Sequence, residues 1–243
     1  MSGSILDFVQ VHPYLFANLP LLGLVLLLPR MTSNRDYERA AIFSGLACLP
    51  CSLAEATSAE YWHPMLLGGV HCGVESMIFT YSAGAAVWLL AALWKLENCT
   101  LGIRSFRTGF FHLSPWALSL TAVYVGLWLA GMNCVTATLV SSAGLLLFLL
   151  VRRLSLWRLA LTGLICFTPA YMLELKFEFA AWPNYIAYWN AGGLWGTLVF
   201  GIPRGEIAWA AVFGAAYPVV IASAFDIRFD GRKSQDFGHA SLA

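Results

Sequence analysis

The sequence predicts an all-α integral membrane protein of seven transmembrane helices, with its N-terminus outside and its C-terminus cytoplasmic. Three observations carry this. Of 243 residues, 59% are apolar and only 11% charged, and the mean hydropathy is +0.71; a soluble domain carries about 25% charged residues. The apolar residues gather into seven blocks. The basic residues collect on one side of those blocks, which sets the orientation.

The blocks run near Tyr14–Leu28, Ala40–Glu55, Val74–Leu93, Trp116–Leu129, Val135–Val151, Leu156–Glu174 and Gly205–Phe225. The segment ahead of the first, Met1 to Asp7, lacks the positive n-region of a signal peptide, so the first block reads as a retained span. Several blocks are shorter than the roughly 20 residues that a 30 Å hydrocarbon core needs. Each helix is therefore expected to extend into its flanks.

Arg30, Arg35 and Arg39 follow span one, and Lys95, Arg104 and Arg107 follow span three. Arg152, Arg153 and Arg158 surround the turn between spans five and six, and Arg228, Arg232 and Lys233 follow span seven. Only Lys176 and Arg204 remain for the other side. By the positive-inside rule the crowded side is cytoplasmic. A net charge of +1 gives no basic stripe for nucleic acid.

The chain also reads as two parallel copies of one unit. Pro50 is followed five residues later by Glu55, then by Tyr61-Trp62 and by Gly73-Val74-Glu75. Pro169 is followed five residues later by Glu174, then by Tyr188-Trp189 and by Pro203-Arg204-Gly205-Glu206. Residues 11–94 form repeat one, 115–132 a linker helix, 134–226 repeat two and 230–243 a polar cytoplasmic tail. One linker span keeps two three-span units in the same sense, which agrees with the charge distribution.

Four glutamates then share an address at the non-cytoplasmic ends: Glu55 and Glu174 end spans two and six, while Glu75 and Glu206 begin spans three and seven. Ionisable residues at membrane depth are costly and mark functional sites. Glu60 and Glu178 read as surface acids. Burial disfavours the ionised form of a carboxylic acid, so such a group keeps a proton to donate. A membrane-embedded acid suits an apolar alkene, whose protonation gives a carbocation that water would quench. Aromatic faces stabilise that cation without attacking it. Tyr61, Trp62, Phe79, Tyr188, Trp189 and Trp209 are the candidates for lining the substrate path.

At these residues the chain resembles the lycopene cyclase domain family, small membrane cyclases of two repeated units. Glu60-Tyr61-Trp62-His63-Pro64 with Gly73-Val74-Glu75-Ser76-Met77-Ile78-Phe79 is similar to the first-unit signature, and Gly201-Ile202-Pro203-Arg204-Gly205-Glu206, running into Trp209, Phe213-Gly214 and Pro218, to the second. The resemblance implies acid-initiated, redox-neutral cyclisation of an isoprenoid such as lycopene, with no cofactor. Glu75 or Glu206 would donate the initiating proton, the other would stabilise the cation or recover a proton, and Glu55 and Glu174 would complete the acidic set. The family pattern is close to Pro-x-Glu-Glu. Here Gly73 stands for the proline, Glu75 is followed by Ser76, and Gly205 replaces the first acid of the second copy.

Rival readings are a membrane transporter or proton-coupled carrier, supported by the repeat and by Gly192, Gly193, Gly196, Gly201 and Gly205, and a thiol oxidoreductase built on Cys48-Leu49-Pro50-Cys51. Against the carrier, no span shows a Gly/Pro break at its centre. Glu60 with His63 and His71 with Glu75 have ligand spacing, but the second unit contains no histidine, so no metal is expected. No span contains a lysine for a retinal Schiff base, and no Asp-rich magnesium motif appears. The expected partners are an apolar isoprenoid and the lipid bilayer.

Overall fold

The computed structural model describes residues 5–69, 72–190 and 195–229. The proposed tail, His71, Gly192, Gly193, Arg232 and Lys233 lie outside the described residues, as does Met1 to Ser4. The helices are α1 (Ile5–Val11), α2 (Pro13–Leu27), α3 (Arg35–Cys48), α4 (Val74–Ala92), α5 (Phe106–Leu129), α6 (Cys134–Arg152), α7 (Trp157–Ala181) and α8 (Arg204–Ala224). With their 3₁₀ extensions, seven of these are long and apolar enough to cross a membrane: Pro13–Met31, Arg35–Thr57, Val74–Lys95, Phe106–Leu129, Cys134–Arg152, Leu154–Ala181 and Arg204–Ala224. Length and composition thus mark a multi-pass membrane protein.

Local chemistry sets several helix starts. The Asn34 side chain accepts from the backbone N–H of Asp36 and Tyr37 at 3.0 and 3.2 Å, and Asn133 accepts from Thr136 at 2.8 Å. Both satisfy donors that the first turn leaves unpaired. Asp36 and Glu38 in the first turn of α3 complement its dipole.

Two ends correct the sequence reading. α5 begins at Phe106 rather than near residue 115, because Pro115 sits inside the helix instead of starting it. α7 runs to Ala181, so Glu174 lies within the helix and not at its end. Pro20, Pro169 and Pro218 are likewise internal. Membrane helices tolerate this because neighbouring groups re-satisfy the freed backbone carbonyls. Pro169 falls mid-helix and α7 continues through it. After Cys48, by contrast, the chain tightens into a 3₁₀ helix, Leu49–Thr57.

α4 and α8 form the centre. Their most apolar windows are 67% and 61% buried, whereas that of α5 is 6% buried, so α5 lies at the periphery. α3 packs on α4 and α7 on α8; α2 packs on α4 and α6 on α8. Small residues let these backbones approach. A Cβ on Gly84 would lie 2.9 Å from the Ser44 carbonyl oxygen and against Cys48 Cβ; a Cβ on Gly214 would lie 2.8 Å from the Gly163 carbonyl oxygen and against Phe167 Cβ. Ser44 and Gly163 each stand eleven residues before Glu55 and Glu174, while Gly84 stands nine residues after Glu75 and Gly214 eight after Glu206.

At the basic end, β1 (Thr100–Leu101) pairs antiparallel with β4 (Ile227–Arg228). Asp36 meets Arg104 at 3.3 Å and Asp226 meets Arg228 at 2.8 Å there. At the opposite end, β2 (Leu198–Val199) pairs with β3 (Ile202–Pro203). Here the loops after the second and sixth spans also join. Trp62 and Trp189 form an antiparallel bridge flanked by His63 N–H to Tyr188 C=O at 3.0 Å and Asn190 N–H to Tyr61 C=O at 2.9 Å.

Candidate active site

The acids gather where those loops close the bundle. Glu75, in the first turn of α4, is 1% exposed, and both its oxygens accept from the Leu67 N–H at 3.0 and 2.9 Å. Glu55, near the end of the 3₁₀ segment, is 8% exposed. Its Oε2 accepts from the Cys72 N–H at 2.8 Å and from Ser76 Oγ at 2.5 Å. Cys72 holds φ 59°, a left-handed conformation uncommon outside glycine, and its N–H reaches Glu55 from there. Glu55 Oε1 is buried with no hydrogen-bond partner among the described residues. Ser76, beside Glu75 in the chain, thus ties the two acids of the first unit together.

In the second unit Glu206 accepts from Tyr171 Oη at 2.7 Å and from Trp189 Nε1 at 2.9 Å. The Tyr61 phenol lies against Gly205, where any Cβ would collide with it. Burial, and then the Glu206 charge, pushes that phenol above its ordinary range. The Arg204 guanidinium lies over the Trp195 ring, 5.0 Å from its centroid. Glu174 is half-buried, with Oε1 buried and unpartnered among the described residues.

Glu178 overturns its reading as a surface acid. It is 5% exposed, one turn beyond Glu174 on the same face of α7. The Tyr185 phenol, 3% exposed, is pushed well up by burial first and then by the charge of Glu178. Tyr14, on α2, is 3% exposed and packs edge-on against Trp62.

The rings between the acids are continuous. Tyr14 meets Trp62 at 4.8 Å and Phe79 at 6.0 Å; Trp62 meets Trp189 at 5.9 Å; Phe79 meets Trp209 at 6.0 Å; and Tyr171 meets Trp209 at 5.2 Å. Trp209, Phe213 and Tyr217 then stack down α8 at 4.8 Å per step. Of the expected lining residues, Trp62, Phe79, Trp189 and Trp209 belong to this set, while Tyr61 lies against Gly205. Tyr188 is peripheral, touching Tyr185 at 5.4 Å. Tyr14, Tyr171 and Glu178 were not expected. The i,i+4 spacing of Glu174 and Glu178 is the one signal that pointed to any of them.

The rival constellations are less developed. Cys48 is buried and Cys51 exposed at the start of the 3₁₀ segment, and both are free thiols. Glu60 and His63 are exposed, and no group of three His, Cys, Asp or Glu residues among the described residues could hold a metal ion. No family model, no characterised protein and no solved structure matches this chain.

Proposed function

We propose that this protein is a membrane-embedded, redox-neutral cyclase of an apolar isoprenoid, started by protonation of an alkene. The observation that carries this is that Glu206 accepts from Tyr171 and Trp189 within a continuous set of rings, at the end of the bundle where Glu55 and Glu75 are also buried. The ion pairs of the described residues involve Asp36 and Asp226 at the other end. A developing carbocation in this cluster meets ring faces and the Glu206 carboxylate, which stabilise positive charge.

The hydrogen bonds divide the labour. Glu206 receives two donors, Tyr171 Oη and Trp189 Nε1, an arrangement that fits an anion. It is the cation stabiliser and the final base. Glu55 and Glu174 each present a buried oxygen with no donor, and such an oxygen is where a transferable proton sits. Tyr61 fills the space beside Gly205 that an acid takes in the lycopene cyclase pattern, so the second unit offers a phenol there. The close contacts at Gly84 and Gly214, and the pairing of Trp62 with Trp189, support two parallel units. The acids then lie on the non-cytoplasmic side.

The test is expression in cells that accumulate lycopene and related acyclic isoprenoids, beside Glu206→Gln and Glu55→Gln variants. A product isomeric with its precursor and lost in the variants is the expected result. An unchanged isoprenoid profile across acyclic precursors would overturn the proposal in favour of a carrier.

A further inference from the structure

A second site lies at the basic end, far along the bundle from the glutamates. A cleft of about 310 Å³ is lined by Trp94, Lys95, Ser155, Trp157, Arg158, Leu159 and Phe229. It forms where the chain leaves the helix after α4, at Lys95 (φ −127°, ψ 23°), and faces the turn leading into α7. No acid lines it. Lys95 Nζ lies 5.2 Å from the centroid of Trp94, and the Arg158 guanidinium 5.4 Å from that of Trp157.

The ion-paired acids of this end serve other cations. Asp36 pairs with Arg39 and Arg104, and Asp226 with Arg153 and Arg228. Among the described residues, Lys95 and Arg158 pair with no carboxylate. Lys95 and Arg158 thus line one concave site together with the Ser155 hydroxyl. Trp94 and Trp157 are 41% and 46% exposed and stand at the ends of two apolar spans, Val74–Lys95 and Leu154–Ala181, where interfacial tryptophans are common. Phe229, stacked between Trp88 and Trp94 at 6.1 and 6.3 Å, gives the cleft a rigid apolar wall.

The geometry points to a phosphate-binding site at which Lys95, Arg158 and Ser155 hold the phosphate and Trp94, Trp157 and Phe229 hold the apolar part next to it. Two sources share that chemistry: the headgroup of an anionic membrane lipid and a soluble phosphate or diphosphate. The site does not depend on the acid cluster or on its chemistry.

Native mass spectrometry of the full chain in phosphatidylcholine nanodiscs containing phosphatidylglycerol tests this. Lys95→Gln with Arg158→Gln is compared with Arg107→Gln plus Arg152→Gln, which removes equal charge from the same end outside the cleft. Loss of two charge-assisted contacts is expected to lower phosphatidylglycerol retention about tenfold or more in the cleft variant. The control pair is expected to retain it as wild type does, and equal thermal unfolding in pure phosphatidylcholine shows that the cleft variant is folded. Inorganic pyrophosphate is then titrated: displacement of the lipid assigns a soluble phosphate ligand, and no displacement assigns the lipid headgroup. Retention by the cleft variant equal to wild type, or equal loss in the control pair, would overturn the site.

Discussion

Replacing Gly163 with alanine puts a methyl group against the backbone of the neighbouring helix. The new Cβ meets the Gly214 carbonyl group and lies 3.1 Å from Pro218 Cγ, well inside ordinary contact. Pro218 offers that carbonyl no N–H, but the helical backbone on either side fixes its position, so α7 and α8 must part by about 1 Å, in an interior packed to crystal density. Overpacking of this kind costs about 3 kcal/mol, and the better helix propensity of alanine returns about 1 kcal/mol. The net loss of about 2 kcal/mol lowers Tm by about 4–8 °C for a chain of this size. Gly144→Ala is the control, since a Cβ there meets nothing within 4 Å, and it should leave Tm unchanged or raise it by about 2 °C. Tryptophan fluorescence during heating in neutral detergent reads both. Gly163→Ala unfolding no lower than Gly144→Ala would refute the close α7–α8 contact. Because α7 carries Glu174 and Glu178 and α8 carries Glu206, the same 1 Å shift should lower turnover about 100-fold.

Tyr171→Phe and Trp189→Phe each keep a ring and remove one donor to Glu206, and each should lower turnover about tenfold or more, as expected for a charge-assisted hydrogen bond; product formation rates would show it. Glu178→Gln should abolish turnover as fully as Glu206→Gln, whereas Glu60→Gln, at an exposed acid, should leave at least half of it, with both variants assayed at equal protein level. Burial, and then the Asp36 charge, pushes the Cys99 thiol up from 9.0 to about 12. The folded thiol holds its proton more tightly than the unfolded one, so its share of stability is complete below pH 9 and is lost as pH rises toward 12. Cys99→Ala should therefore flatten the fall of Tm with rising alkaline pH, measured from about pH 8 to 11.

The seven spans were legible because hydropathy depends on composition alone. Their ends were not. Hydropathy fades where His112, Lys176 and Glu178 begin, yet these residues remain on continuous helices, and Pro115 lies inside α5 rather than at its start. Equal sequence offsets also misled the pairing of acids. Five residues of the 3₁₀ helix from Pro50 rise about 10 Å, while five residues of α-helix from Pro169 rise about 7.5 Å. The depth of Glu55 is therefore matched between Glu174 and Glu178, and the sequence pattern named only the first. Tyr14 and Tyr171 were invisible for a different reason: an aromatic residue in an apolar helix carries no sign of which acid it will meet. Glu55, Glu75 and Glu206 were legible because charge inside an apolar chain is rare enough to stand out.

The central claim concerns where a proton goes. Purified protein in nanodiscs would be given an acyclic isoprenoid in D₂O and the product examined by mass spectrometry and NMR. Protonation of an alkene by a carboxylic acid that exchanges with solvent predicts a cyclic isomer bearing one deuterium at the carbon first protonated, absent in Glu206→Gln and Glu178→Gln. A cyclic product without deuterium, or a product differing from its precursor by two hydrogens, would contradict acid-initiated, redox-neutral cyclisation.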